Sequence, residues 1–584
     1  MVLENISSEK IYKDFTRNIY TRYITRHPIR KNYFWMAGGL LNIISVGNNN
    51  AILTGNPSKT FFKVTYSKYS NFGLQKFRID YDGQRDLRLT EPSTFTFKIP
   101  RYAELLMDTY VVVTIPDIWS PMHHPVFDND LRWTGYDFKW IRSLGTSMIK
   151  EIVITCGSLT IQKYSGDYLA AMVERDFSAE KKQLFRKMTG DAEEFFDPAN
   201  TNGRINTYPH AFYTENNSGA EPSIRGRAIY IPINTWFTLD SRCAFPLISL
   251  QYNELIVSVT MRPIQELFQV RDVYDIQNKY PYIQPDFNQS VFQMYRFLQT
   301  PPSVIISPEK YENKVSVWNA DIHLLSTYCF LSKEETQVFA AQDQVYLVKD
   351  VFDYNFENIT GSKKVKLNSN GMIANWMFYF QRNDVNLRNE WSNYTNWPYH
   401  SIPGNLGLAP STNALETSLA YGPGIDPKDG INTGNYVTGD YLVDNQFEIL
   451  NTMGILLNGE YRENLLTSGV YNYVEKYVRT AGAAKEGLYC YNFCLNTSPF
   501  EYQPSGAINM SKFKNIELEI TTYSPPIDTV NSSFDVLCDA DGNAVGIRKS
   551  NWRLYNYNFN MRLFEERYNV LTFVGGNCGM MYSR

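Results

Sequence analysis

Along residues 93–99 the chain alternates strictly: Phe95, Phe97 and Ile99 are apolar, and Thr94, Thr96 and Lys98 are polar. A period of two places successive side chains on opposite faces of a strand, so this stretch predicts a half-buried strand. The alternation recurs at Thr60–Tyr66, with Phe62, Val64 and Tyr66 on one face. It recurs again at Leu255, Val257, Val259 and Met261, and at Ile516, Leu518 and Ile520. Val111–Ile115 is continuously apolar, the pattern of a strand covered on both faces. Ile149–Ile161 predicts two short strands around Gly157, Leu456–Glu460 a strand running into an Asn-Gly turn, and Asp82-Gly83 a hairpin turn. Ser316–Leu331 and Gly371–Gln381 are strand-like, the second carrying Trp376. Helical signals are few and short. Ser165–Val173 is amphipathic, Ala179–Met188 is charged, and Ser332-Lys-Glu-Glu335 is a capping box opening a helix through Ala341. The pattern is that of an all-β protein with short helices.

At 584 residues the chain exceeds what one core serves, and two or three domains are expected. Residues 1–55 form an N-terminal arm. Its first 35 residues hold Lys10, Lys13, Arg17, Arg22, Arg26, Arg30 and Lys31 against Glu4, Glu9 and Asp14. The arm reads either as a contact for an anionic surface, membrane or nucleic acid, or as a solvated tail. Thr54-Gly55-Asn56-Pro57 is turn chemistry. A first β-domain is expected over 56–265. Residues 266–312, rich in Gln, Tyr and Pro, read as a linker, and the strand pattern restarts over 313–584. Within that second domain, 383–451 holds Pro398, Pro403, Gly404, Gly422-Pro-Gly424, Asp429-Gly430 and Gly439-Asp440. Such a stretch predicts a long surface excursion.

Composition sharpens the class. Aromatics are 15% of the chain, with 42 Tyr and 35 Phe, which suits pleated half-buried surfaces and interfaces. A formal net charge of −4 argues against a protein that coats nucleic acid. Seven cysteines without a C-x-x-C read as reduced thiols of a protein made in the cytosol. No apolar run approaches the roughly 20 residues that span a bilayer, and the N-terminus lacks signal-peptide order, so ordinary secretion is not expected.

Candidate chemistry is sparse. Adjacent His123 and His124 point apart in a strand or loop, which weakens them as a metal pair. Asp539-Ala-Asp-Gly-Asn543 has acidic spacing but lacks the Glu that completes a calcium loop, and fits a hairpin tip better. H-E-x-x-H, G-x-S-x-G and P-loop patterns do not occur. Basic-aromatic interleaving at Lys63–Tyr69 has the ingredients for stacking on nucleic acid but equally forms one strand face. Paired carboxylates brought together from distant strands stay open, as in glycoside hydrolysis. No enzyme, catalytic residue, cofactor or metal is expected.

Several blocks then match one family in order. Met36-Ala-Gly-Gly-Leu40, Thr54-Gly-Asn-Pro57, Thr60-Phe-Phe-Lys63 and Asn71-Phe72 come first. They are followed by the strand-Gly157-strand hairpin leading to Lys187-Met188, then Trp236-Phe237 and Phe245-Pro-Leu-Ile-Ser-Leu-Gln-Tyr-Asn-Glu254. Pro504-Ser-Gly506 with Asn509-Met-Ser511, and the Tyr568-Asn-Val-Leu571 close, complete the series. In this order the chain resembles the double jelly-roll major capsid proteins of nucleocytoplasmic large DNA viruses (mimivirus-, chlorella virus- and iridovirus-like), over most of 36–584. The resemblance implies two tandem antiparallel eight-stranded jelly-roll β-sandwiches with short helices and long loop insertions. It implies a viral structural protein of the virion, assembled in the host cytoplasm. Homotrimeric pseudo-hexagonal capsomers would tile an icosahedral capsid shell, with the 383–451 excursion as an outward tower. Implied partners are the chain itself, neighbouring capsomers and minor capsid proteins on the inner face. The basic arm precedes Met36, where members of that family usually begin, so its role does not come from the resemblance; its charge alone points to an inner viral membrane, with no specific nucleic-acid sequence recognised. A β-sandwich carbohydrate-binding or carbohydrate-active protein, and a minor capsid or scaffold homologue, remain the alternatives.

Overall fold

The computed structural model covers 584 residues in two compact units, Met1–Phe72 and Gly73–Arg584. Up to residue 70 it describes only Tyr33–Trp35 and Lys63–Thr65. From 71 to 582 it omits 84–85, 124–133, 205–206, 210, 212–219, 275–279, 303–309, 398, 401–420, 426–431, 439–446, 501–502, 526–533, 539–543 and 550–556. In the first unit Lys63–Thr65 is a strand, as its alternation requires, but its partner is Tyr33–Trp35, paired antiparallel. Alternation identifies a strand, not its neighbour.

The second unit holds sixteen principal strands in two sets of eight. The first set is β1 (Gly73–Ile79), β2 (Ser93–Lys98), β3 (Leu105–Ile115), β4 (Ile149–Cys156), β5 (Leu159–Tyr164), β6 (Arg227–Pro232), β7 (Leu255–Met261) and β8 (His323–Phe330). Sheet order is β1-β8-β3-β6 in one layer and β2-β7-β4-β5 in the other. The second set is β9 (Gln344–Phe356), β10 (Ser362–Lys366), β11 (Met372–Arg382), β12 (Leu450–Leu457), β13 (Glu460–Thr467), β14 (Leu488–Asn492), β15 (Ile516–Thr522) and β16 (Phe559–Val574). Its layers run β9-β16-β11-β14 and β10-β15-β12-β13. Strand for strand the two orders are the same. Both are eight-stranded antiparallel jelly rolls.

The predicted alternation is realised in burial. Phe95 and Phe97 of β2 and Val257 and Val259 of β7 are buried, and each removes about 1.5–3 kcal/mol worth of apolar surface from water. Val111, Val112 and Val113 are all buried, as a doubly covered strand requires. Asn458 (φ 54°) and Gly459 (φ 87°) both take the left-handed conformation that a two-residue β12–β13 hairpin demands. Helix α1 (Gly166–Asp176) starts at Ser165, whose side chain accepts from the Tyr168 amide. Helix α2 (Ala179–Thr189) starts at Ser178 and stops at Gly190, and helix α3 (Lys333–Ala341) starts at Ser332, which accepts from the Glu335 amide.

Two expected boundaries move. Strand β8 lies beyond residue 313 yet belongs to the first sandwich, with Leu324 opposite Ile79 and Val111. Residues 266–312 therefore are not a linker between sandwiches but part of the connection from β7 to β8 within the first one. Phe268–Arg271 pairs there with Phe138–Trp140 and Tyr282–Ile283, and Phe268, Phe292, Met294 and Phe297 are buried. Its weak periodicity arises because it packs through 3-10 turns and short pairings, which carry no long repeat. The chain crosses from one sandwich to the other at 331–343, through α3.

Register also separates the two ends of each sandwich. Leu324 faces Ile79 and Arg227 faces Ile115, so connections 80–92, 116–148, 165–226 and 262–322 all leave from one end. In the second sandwich Phe356 faces Met561 and Arg382 faces Phe559, so 357–361, 383–449, 468–487 and 523–558 do likewise. The opposite ends carry shorter links such as 157–158 and 458–459.

Candidate functional site at the seam between the sandwiches

Strand β16 has both faces covered. Phe559, Met561 and Leu563 enter the second sandwich's own core, whereas Phe564, Leu571 and Phe573 join the cluster built on the first. Consecutive glutamates therefore part company. Glu565 points inward, accepting from the Trp376 indole (2.8 Å), the Ser369 hydroxyl (2.6 Å) and Arg567 (2.5 Å). Glu566 points at the seam.

There it meets the last turn of α1. Arg175, 1% exposed, donates to Glu566 (2.8 Å), to both oxygens of Asp176 and to Asn375 Oδ1 (2.6 Å). Glu566 also accepts from the Tyr168 hydroxyl and the Asn375 amide, each at 2.9 Å, and lies 3.6 Å from Lys349 Nζ. Thr497 donates to Asp176, and Lys349 donates to the Thr497 carbonyl. Two cations thus meet two carboxylates, with neutral donors filling the remaining lone pairs. Burial opposes ionisation of Glu566, but Arg175 and Lys349 outweigh it and hold the carboxyl down at about 2. A bulge makes this possible. The β11–β16 register slips between Ile373 and Asn375, so Ile373 stays in the inner core while Asn375, Met377 and Tyr379 face the first sandwich.

Nearby, Arg562 bridges Asp353 (2.5 Å) and Asp167, and Arg262 lies over the Trp391 ring at 4.5 Å. These groups line a 480 Å³ cavity with Tyr379, Gln381 and Arg382. At the long-loop end the two sandwiches interlock through their excursions. Asn389, held at φ 54°, donates to the carbonyls of Gln265 (2.7 Å) and Phe268 (2.8 Å). Trp391 donates to Glu266 O, and Tyr399 donates to Tyr282 O. The excursion expected over 383–451 is thus packed over 385–397 and again at Tyr399, and β12 resumes at Leu450. At the short-link end Gln251 donates its amide to Gly576 O (2.9 Å). Gly576 sits at φ 82°, and a Cβ there would lie 2.6 Å from that of Gln251. Both ends are pinned, so the sandwiches run side by side in the same direction.

Chemically this arrangement positions rather than reacts: its carboxylates and cations are matched to one another. Among the described residues no group of three His, Cys, Asp or Glu side chains is placed to hold a metal, and no helix is long and apolar enough to cross a membrane. His123 ends a two-residue strand, and its side chain lies outside the described residues, as does His124. Asp539–Asn543 also lies outside them, and the strands on either side, Phe534–Cys538 and Ala544–Lys549, pair antiparallel. The basic arm residues Lys10 to Lys31 and most of 401–446 are likewise outside. The seam residues Arg175, Asp176, Asn375 and Glu566, and Glu565 behind them, escape sequence reading because polar and charged residues ordinarily signal solvent. The available clue is a Glu-Glu-Arg triplet that interrupts the alternating apolar positions between Phe559 and Val574.

Comparison with known proteins agrees with this architecture. The family described as major capsid protein N-terminus matches residues 60–319, and the family described as large eukaryotic DNA virus major capsid protein matches 335–579. The major capsid protein of Phaeocystis pouchetii virus is 22% identical, over 94% of this chain and all of its own. That of Paramecium bursaria Chlorella virus 1 is 24% identical with the same coverage. Among solved structures, PBCV-1 VP54 fitted into a reconstruction of the virophage Sputnik has a TM-score of 0.56 at 19% identity, covering 90% of this chain and 100% of its own. The Faustovirus major capsid protein has 0.56 at 11%, covering 97% and 99%. With sixteen strands in two jelly rolls of one order, and both halves matched in sequence, the chain belongs to the major capsid proteins of the large eukaryotic DNA viruses.

Proposed function

We propose that three copies of this chain form a homotrimeric capsomer of pseudo-hexagonal outline, and that these capsomers tile an icosahedral shell. The observation that carries this reading is the pairing of two same-order sandwiches, locked side by side and in parallel. A threefold axis acting on such a pair generates six similar wedges, which tile a flat facet, and closed symmetry limits further growth. Outward-facing apolar side chains supply contact surface: Val345 and Leu347 on β9, and Tyr473, Val474, Tyr477 and Val478 on the 470–479 helical segment. The long-loop ends, emerging together, form the outward tower. The basic arm, with Arg22, Arg26 and Arg30, lies against an anionic inner membrane, and minor capsid proteins take the inner face. Free thiols fit assembly in the host cytoplasm. Light scattering on the dilute full-length protein tests the proposal. A particle of three 67.6 kDa chains that persists on dilution is expected, and a stable monomer overturns it.

A further inference from the structure

Asn472 and Lys476 lie four residues apart on the helical segment that follows β13. The segment opens on a π-helical turn, Val470–Val474, and continues as α-helix over Glu475–Arg479. Such turns are rare and gather at functional sites. The pair is buried, Asn472 at 1% exposure and Lys476 at 6%. Lys476 Nζ donates to Asn472 Oδ1 at 2.7 Å, and to the Lys485 and Ala484 carbonyls at 3.0 and 3.4 Å. The carbonyl carbon of Asn472 is one bond of about 1.2 Å from that oxygen, so the amine nitrogen stands within about 4 Å of it. On its other side, Asn472 Nδ2 donates to Glu448 Oε1 at 3.5 Å, and the second Glu448 oxygen accepts from the Ser468 hydroxyl at 2.9 Å. The backbone around Glu448 is anchored, because Asn396 donates its amide to Phe447 O and Tyr523 donates to Ile449 O. Burial lowers the Lys476 ammonium to about 8, so roughly one in ten is free amine at pH 7. Buried Lys182, by contrast, lies 3.3 Å from a carboxylate, Glu174.

We propose that Lys476 and Asn472 condense without any other reagent into an intramolecular isopeptide bond, with Glu448 as the proton shuttle. The free Lys476 amine attacks Cγ of Asn472, the Nζ–Cγ bond forms, and the Cγ–Nδ2 bond breaks. In the tetrahedral adduct both nitrogens sit on Cγ, so a carboxylate beside Nδ2 reaches both. Glu448 takes the proton that Nζ sheds and delivers it to Nδ2, which leaves as ammonia. One amine and one carboxamide become one secondary amide and NH3, and nothing is oxidised or reduced. The spacing suits the product, since residues four apart share a helix face. The new amide keeps one N–H, and the Lys485 carbonyl that now accepts from Nζ can accept from it. The link staples the segment that exposes Tyr473, Val474, Tyr477 and Val478, so that this apolar surface is held in one shape.

The test holds the folded full-length protein at pH 8.5, where more of the Lys476 amine is free, and follows its tryptic peptides by mass spectrometry. The expected product is one peptide spanning 463–479, uncut after Lys476 and lighter by the mass of ammonia, about 17 Da. It should give no fragment ions between 472 and 476, because that stretch is closed into a ring. Glu448→Gln should form the link on the order of 100-fold more slowly, and equal rates overturn the role of Glu448. Lys476→Arg should show no loss of ammonia from this peptide. A folded wild-type chain whose peptide keeps its full mass and is cut after Lys476 overturns the proposal. So does a 17 Da loss that persists in Lys476→Arg, which marks a backbone succinimide at Asn472 instead. If either variant fails to fold, the wild-type peptide and its fragment ions alone decide between these outcomes.

Discussion

Replacing Glu566 with Gln should destabilise the protein by about 3 kcal/mol at neutral pH. The amide keeps the shape of the carboxylate, so Tyr168 retains an acceptor and the packing around Phe564 is undisturbed. What is lost is the charge, and with it the second oxygen, which accepts from the Asn375 amide: Arg175 and Lys349 would face Asp176 alone, leaving one positive charge uncompensated in a dry seam. The size follows from the carboxyl's descent from 4.5 to about 2 in the folded protein. At 1.36 kcal/mol per unit that is about 3 kcal/mol, within the roughly 3–5 kcal/mol that breaking a buried pair costs. A depressed folded value means stability that is fully present above pH 4.5 and lost as pH falls toward 2. The gap between wild type and Glu566→Gln should therefore be flat from pH 7 to 5 and narrow below 4.5. Urea unfolding of the dilute chain, followed by tryptophan fluorescence, reads it, since Trp376 adjoins Asn375 on the strand that touches Glu566. Glu254→Gln serves as control. Its partner Lys98 is exposed, and such a pair contributes about 0–1 kcal/mol. A Glu566→Gln deficit no larger than the control's, or one that widens below pH 4.5, refutes the argument.

Other positions give equally direct outcomes. Gly576→Ala adds a Cβ 2.6 Å from Gln251 at a positive φ, so it should lower the thermal midpoint more than Gly575→Ala, whose Cβ meets nothing within 4 Å. Asn389→Ala leaves the Gln265 and Phe268 carbonyls without their donor, at about 1–3 kcal/mol each. Amide exchange should accelerate in 265–284 and 385–400 together, and exchange confined to one segment would contradict the interlock. Ser332→Ala removes the cap of α3 and should cost about 1 kcal/mol, read as faster exchange in 333–341 with little change elsewhere.

Most strands were legible because a sheet with one dry face imposes a period of two, and β2, β7 and β15 show it residue by residue. The cap of α3 was legible for a local reason too: Ser332 satisfies the amide three residues on. Pairing was not. Strand β8 advertised itself as a strand but not that its neighbours are β1 and β3, more than 200 residues upstream. Reading it as the restart of a new domain made its connection look like a linker. The buried charges were hidden for a different reason, since a single sequence shows which residues are charged but not which charges cancel.

The concealed parts share one physical role. Each sandwich alone would present an outer sheet face and a set of loop carbonyls to water, and the seam turns both into interior. Strand β16 buries apolar side chains on both faces. The bulge at 373–375 turns Asn375 toward α1. The excursion at 385–400 supplies donors to the carbonyls at 265–268. These contacts lie at both ends and at the middle of the seam, so rocking one sandwich against the other would break hydrogen bonds at one end or strand a charge at the centre. A pair held this way resists such rocking, which the proposed tiling of a facet requires.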